Sequence, residues 1–153
     1  MANTYTQIYI QFVFAVQNRI SLIRPYWEEL LYKYITGITQ KEKHKMIAIN
    51  GTMDHIHLFI GLHPTQSVSD LVRIIKASSS KWVDENGFVP GRFQWQEGFG
   101  AFSYSKSHID SVYQYVMNQK VHHKTKTFME EYVEFLDKFE APYDGRYVFH
   151  PVV

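Results

Sequence analysis

Apolar and polar residues alternate over residues 4–18, so that Ile8, Ile10, Phe12, Phe14 and Val16 share one face of an extended chain. That period of two predicts a long first strand. Over residues 24–43 the period becomes helical, with Trp27, Leu30, Leu31, Tyr34, Ile35 and Ile38 on one stripe. Pro25 sits near the first helical position, and Glu28 and Glu29 lie in the first turn, where the helix dipole favours acids. Residues 44–52 and 54–62 read as two strands around a glycine-containing turn. Ser67 and Asp70 form a capping-box pattern for a second helix, which buries Val68, Leu71, Val72, Ile75 and Trp82 and stops at Asn86-Gly87. Residues 92–105 predict a fourth strand region, interrupted by the stretch 97–100. Two helices follow, capped by Ser107 with Asp110 and by Thr127 with Glu130. The last of them buries Phe128, Tyr132, Phe135, Leu136 and Phe139.

The resulting order is β-α-β-β-α-β followed by two helices. This is the ferredoxin-like (also RRM-like) class of α+β fold, an antiparallel sheet with two helices on one face. No repeat or linker divides the chain, so residues 1–153 are expected to form one domain. The strand of residues 54–62 raises a chemical question. If Ile56, Leu58 and Ile60 pack under the helices, His55 and His57 point together from the opposite face.

Composition narrows the possibilities. There is no cysteine, which excludes disulfides, thiolate metal sites and cysteine nucleophiles. No apolar segment approaches the roughly 20 residues of a membrane span, and no secretory signal opens the chain, so no membrane partner and a cytoplasmic location are expected. Net charge is +1, which is no polyanion-binding signature overall. The distribution is more pointed. Arg73, Lys76 and Lys81 lie in an acid-free stretch, Lys120, Lys124 and Lys126 in another, and over residues 128–140 the sign reverses, with Glu130, Glu131, Glu134, Asp137 and Glu140 against Lys138 alone. Arg73, Lys76, Lys120, Lys124 and Lys126 are therefore the candidate contacts to a nucleic-acid backbone. A solvated helix face would carry the same charges.

Imidazoles at i and i+2 of one strand face can reach a single divalent ion. Two half-exposed histidines on a polar sheet face would give the same pattern. A third ligand must come from elsewhere, and the third helix offers one. Tyr115, Asn118, Gln119 and His122 recur at i, i+3, i+4 and i+7. A tyrosine one turn from an amide suits a nucleophile beside a ligand. A tyrosine at the core boundary would look the same.

His55-Ile56-His57 resembles the His-hydrophobic-His motif of the HUH nucleases. Residues 115–123 and 95–107 resemble the catalytic-helix segment, and the segment preceding it, in the single-tyrosine transposases of the smallest bacterial insertion sequences. The likeness runs from about Tyr5 to about Phe139. It implies a transposase that cleaves and rejoins single-stranded DNA at hairpin-marked ends. Tyr115 would become linked to a 5′ phosphate, while His55, His57 and Gln119 would hold one divalent cation, magnesium or manganese. It also implies a homodimer that associates with the nucleoid when bound to DNA. Three rivals remain at this stage: a domesticated nuclease of the same family acting on palindromes, a non-catalytic RRM-like binding module, and a metal-dependent hydrolase with His122 or His123 as third ligand.

Overall fold

Four strands pair in the order β2-β3-β1-β4, every neighbouring pair antiparallel: β1 is Tyr9–Ala15, β2 Lys45–Gly51, β3 His55–Gly61 and β4 Gly100–Tyr104. This is the ferredoxin-like order expected from the sequence. It comes from a computed structural model that describes residues 4–123 and 126–141. Helices α1 (Pro25–Lys41) and α2 (Val68–Asn86) bury Trp27, Leu31, Ile35, Leu71, Val72 and Ile75 with Phe12, Phe14, Ile56, Leu58 and Ile60, one face of the sheet. Ser67 accepts from the Asp70 amide at the start of α2, and Gly87 ends it at φ 63°, a left-handed position that glycine takes without strain. Leu30, expected on the inward stripe of α1, is instead 48% exposed, at the margin of the buried arc.

The second face is covered too. Helix α3 (Ile109–Met117) lays Val112 and Val116 over Phe59 and Ala48, and α5 (Phe128–Lys138) lays Phe128 and Phe135 over Val13, Ala15 and Phe102. A short α4 (Gln119–His122) joins them. No described helix is long and apolar enough to cross a membrane.

Three local expectations are corrected. The fourth strand is shorter than residues 92–105 suggested. Trp95 makes only an isolated bridge with Val16, because Lys76 Nζ takes the carbonyls of Gln96 and Gly98 that a strand would pair. Ser107 does not cap α3, since its hydroxyl bonds Ser105 and His108 and the helix grows from a 3-10 turn, Lys106–His108. The tyrosine helix also breaks at Asn118. Asn50 of β2 donates to the Met117 carbonyl at 2.9 Å, which fastens the break to the sheet.

Candidate active site and metal centre

His55 and His57 stand at the middle of the second sheet face, opposite Ala15 and Val13 of β1, and both are fully buried. Strand alternation puts them there: Ile56, Leu58 and Ile60 fill the α1–α2 core, so the imidazoles turn to the α3–α5 side. The His55 ring stacks on Phe128, with centroids 4.2 Å apart, and the Tyr115 ring meets His57 at 5.9 Å. Helix α3 supplies Tyr115, and the chain beyond its break supplies Gln119, fully buried, with Oε1 3.4 Å from His55 Nε2. The structure thus brings together His55, His57, Tyr115 and Gln119 within one chain.

At their centre is a residue that the sequence reading passed over. Glu131, on α5 and 1% exposed, turns its two oxygens to different partners. Oε1 lies 3.0 Å from His57 Nε2 and 2.9 Å from His123 Nε2. Oε2 accepts from the Tyr115 hydroxyl and, at 3.2 Å, from the Gln119 amide. Burial pushes the Glu131 carboxyl up to about 8, against the pull of His55. A buried carboxylate among imidazoles is stabilised by protonation, by its donors or by a cation.

The two imidazoles are oriented differently. Near His55 Nδ1 lie Asp54 Oδ1 at 2.7 Å and Thr52 Oγ1 at 2.9 Å. Burial pushes the Asp54 carboxyl up, but the hydrogen bond and charge of His55 outweigh it and hold Asp54 below the usual carboxylate range. With Nδ1–H donated to Asp54, His55 Nε2 presents a lone pair to the cluster. His57 Nδ1 accepts from Gln11 Nε2 at 3.0 Å, which leaves its Nε2–H for Glu131. For His57 Nε2 to ligate a cation, that hydrogen must move to Nδ1, and Gln11 must turn its amide to offer oxygen.

The donor set suits a metal. Ligand atoms of His55, His57, His123 and Glu131 lie within 4.8 Å of one another. Ligands at ~2.1 Å from one ion stand at most about 4 Å apart, so small side-chain movements would close the set. Gln119 adds an amide oxygen beside it.

The basic candidates are scattered. Lys120 pairs with Glu28 and donates to Asn50 Oδ1 at 2.8 Å. Lys126 pairs with Glu134 at 2.6 Å. Arg73 is exposed on α2, on the far face of the sheet, in a 2.5 Å pair with Asp70. Lys76 is half-buried, its ammonium turned into the loop at 96–98, and burial lowers it to about 8 against the charge of Glu97. Lys124 and the side chain of His122 lie outside the described residues.

Glu131 was masked in the sequence by the acidic run around it. The available signal was its place on the apolar stripe of Phe128 and Phe135, where an acid has no solvent. Gln11, fully buried, gave no such signal, because it lies on the face of β1 opposite Ile10 and Phe12, where the pattern allows a polar residue.

Comparison with known proteins adds an independent line. The family described as "Transposase IS200 like" matches residues 4–119. A protein described as a transposase from Deinococcus radiodurans superposes with a TM-score of 0.61 at 17% identity, over 78% of this chain and 95% of that one. A REP-associated tyrosine transposase, solved bound to a REP hairpin, superposes with a TM-score of 0.60 at 17% identity, over 80% of this chain and 73% of that one. No curated protein sequence matches.

Proposed function

The chain belongs to the IS200-like transposase family, and on that footing we propose that it cleaves and rejoins single-stranded DNA at hairpin-marked ends, with Tyr115 as nucleophile. The observation that carries this reading is the Tyr115 hydroxyl donating to Glu131 in a buried cluster with His55 and His57. Tyrosine has a solution pKa near ~10 and needs a proton acceptor to attack at neutral pH. Glu131 Oε2 is placed to take that proton once the carboxyl is ionised, which its burial opposes and a bound cation would favour. The phenolic oxygen bonds to phosphorus, the bond to the 3′ oxygen breaks, and the leaving oxygen takes a proton from water. The phosphotyrosine conserves the linkage, so a 3′ hydroxyl can reverse the step and reseal a strand without a nucleotide cofactor.

His55, His57 and Glu131 would hold a divalent cation, with Gln119 and His123 as further ligands. Such an ion supplies Lewis-acid polarisation of a phosphate oxygen and a template for the strand. Imidazoles beside a carboxylate favour manganese over magnesium, which prefers all-oxygen surroundings. The fold of the hairpin-bound neighbour makes a DNA hairpin the partner to test first. That likeness extends equally to a host-domesticated enzyme acting on palindromes, which would use the same chemistry. An RRM-like binding module is disfavoured by the covered sheet face: Phe59 and Phe102, which such a module would expose for stacking, are buried under α3 and α5. A homodimer in the cytoplasm completes the proposal.

The test is a covalent adduct. Labelled single-stranded hairpins from the DNA flanking the gene are incubated with manganese or chelator and resolved on a denaturing gel. A metal-dependent shifted band is expected, absent in Tyr115→Phe. Glu131→Gln should lose the band and weaken manganese binding, read by calorimetry, at least ~10-fold. A band persisting in Tyr115→Phe would move the nucleophile elsewhere, with the exposed Tyr113 first to examine. Tight metal-independent binding without any band would favour the non-catalytic module.

A further inference from the structure

Between α3 and α5, beside the Tyr115–Glu131 pair, the second sheet face holds a cavity of about 300 Å³. Val112 and Phe135 are its apolar walls, and Gln11 and Tyr104 line it from the sheet. Tyr115 and Glu131 are also among its lining residues. We propose that this cavity receives the nucleobase next to the phosphate attacked by Tyr115, an inference that rests on the strand-transfer reading above.

Three observations point to a base. The first is continuity: a strand with its phosphate at the Tyr115 oxygen has a sugar and base directly beside it, and this concavity opens there. The second is size and lining. The volume is at the small end of the ~300–1,000 Å³ of ligand pockets, and it is enough for one base. Tyr104 and Phe135 give the cavity an aromatic lining; Phe135 is itself stacked on Phe102, so a base there gains apolar contact with little sequence preference. The third is charge. Glu131 and Glu134 both line the cavity, with Lys138 the cation among its residues, so a neutral heterocycle suits it better than a phosphate.

The cavity is also connected to the metal centre. The Tyr104 hydroxyl donates to Gln11 Oε1 at 3.1 Å, and the Gln11 amide donates to His57 Nδ1 at 3.0 Å. A base that competes for Tyr104 or Gln11 therefore acts on the hydrogen bond that selects the His57 tautomer. Gln11 is a positioning residue in this scheme.

The test uses the full chain and three forms of each flanking hairpin oligonucleotide: unmodified, and abasic at the nucleotide on either side of the cleaved phosphate. One abasic form is expected to raise the half-saturating concentration for adduct formation about 10-fold or more. Ser111→Trp places an indole at the cavity, where exposed Ser111 is a lining residue. It should produce a comparable loss on the unmodified strand and little further loss on the sensitive abasic strand, while Ser111→Ala behaves as wild type. A 2-aminopurine at the sensitive position, bound to the Tyr115→Phe protein with manganese, should change fluorescence, and Ser111→Trp should abolish that change. If both abasic strands react like the unmodified one, the base pocket is overturned while the transferase reading stands. If wild type forms no adduct with any flanking hairpin, both fall together.

Discussion

A single carboxylate changes the chemistry of this site. Two imidazoles and a tyrosine on a sheet face could be a metal ligand pair and a nucleophile, or three satisfied polar residues. Glu131 joins the two groups, because one of its oxygens faces the imidazoles and the other the phenol. Lys76 teaches the opposite lesson, since a helix-face cation that suggested a phosphate contact is occupied by backbone carbonyls. Lys76→Met should lower stability by about 1 kcal/mol at pH 7 through the lost hydrogen bonds, with DNA affinity and its salt dependence unchanged. The sign of the pH effect follows from the lysine's depressed value. Folded Lys76 releases its proton near 8 and the unfolded chain near 10.5, so between them the unfolded state binds more protons and stability rises with pH. The gap between wild type and Lys76→Met should therefore widen from pH 7 to 10 in denaturant titrations. A gap that narrows would show that Lys76 is not desolvated as described.

At the level of elements, the site depends on β3 being pinned on both sides and on α5 being started at the right residue. Gly51, at the end of β2, lies against β3 where a methyl group would overlap the His55 carbonyl oxygen and come within 2.8 Å of the Ile56 Cα. Both neighbours are backbone and cannot rotate away. Gly51→Ala should cost about 1–3 kcal/mol and displace His55, so that manganese affinity falls with melting temperature. A variant that melts lower but binds manganese normally would show that strain at the strand end does not reach the imidazole. Helix α5 begins at a complete capping box, Thr127 with Glu130. The box fixes where α5 starts, and docking of its Phe128 and Phe135 on the sheet carries Glu131 inward with them. The capping pattern was legible in the sequence, and so was the helix. Its consequence for the site was not, because the sequence shows where a helix starts but not which strand it lands on.

For the whole molecule, the arrangement is a sheet covered on both faces, with the His55–His57–Glu131 cluster between the second face and α3–α5. Tyr115 and the histidines meet within one chain. Cleavage activity per molecule should therefore stay constant as the protein is diluted below the concentration at which light scattering shows it to be monomeric. Loss of activity on dilution would mean that the working site borrows its tyrosine helix from a partner copy.

The sequence by itself determined the β-α-β-β-α-β order and the pairing of His55 with His57 on one face. Each follows from a local period or a cap, which neighbouring residues fix without help from distant ones. The tertiary structure decided what stands opposite them. Glu131 is 74 residues from His57 along the chain and 3.0 Å from it in space. Gln11 is 46 residues away at the same distance. Packing of apolar surface brings such residues together, and the polar groups it carries inward must then find partners. No local pattern names those partners, so Glu131 opposite Tyr115, the groups around the buried histidines and the cavity beside Tyr115 are visible only once the helices are docked.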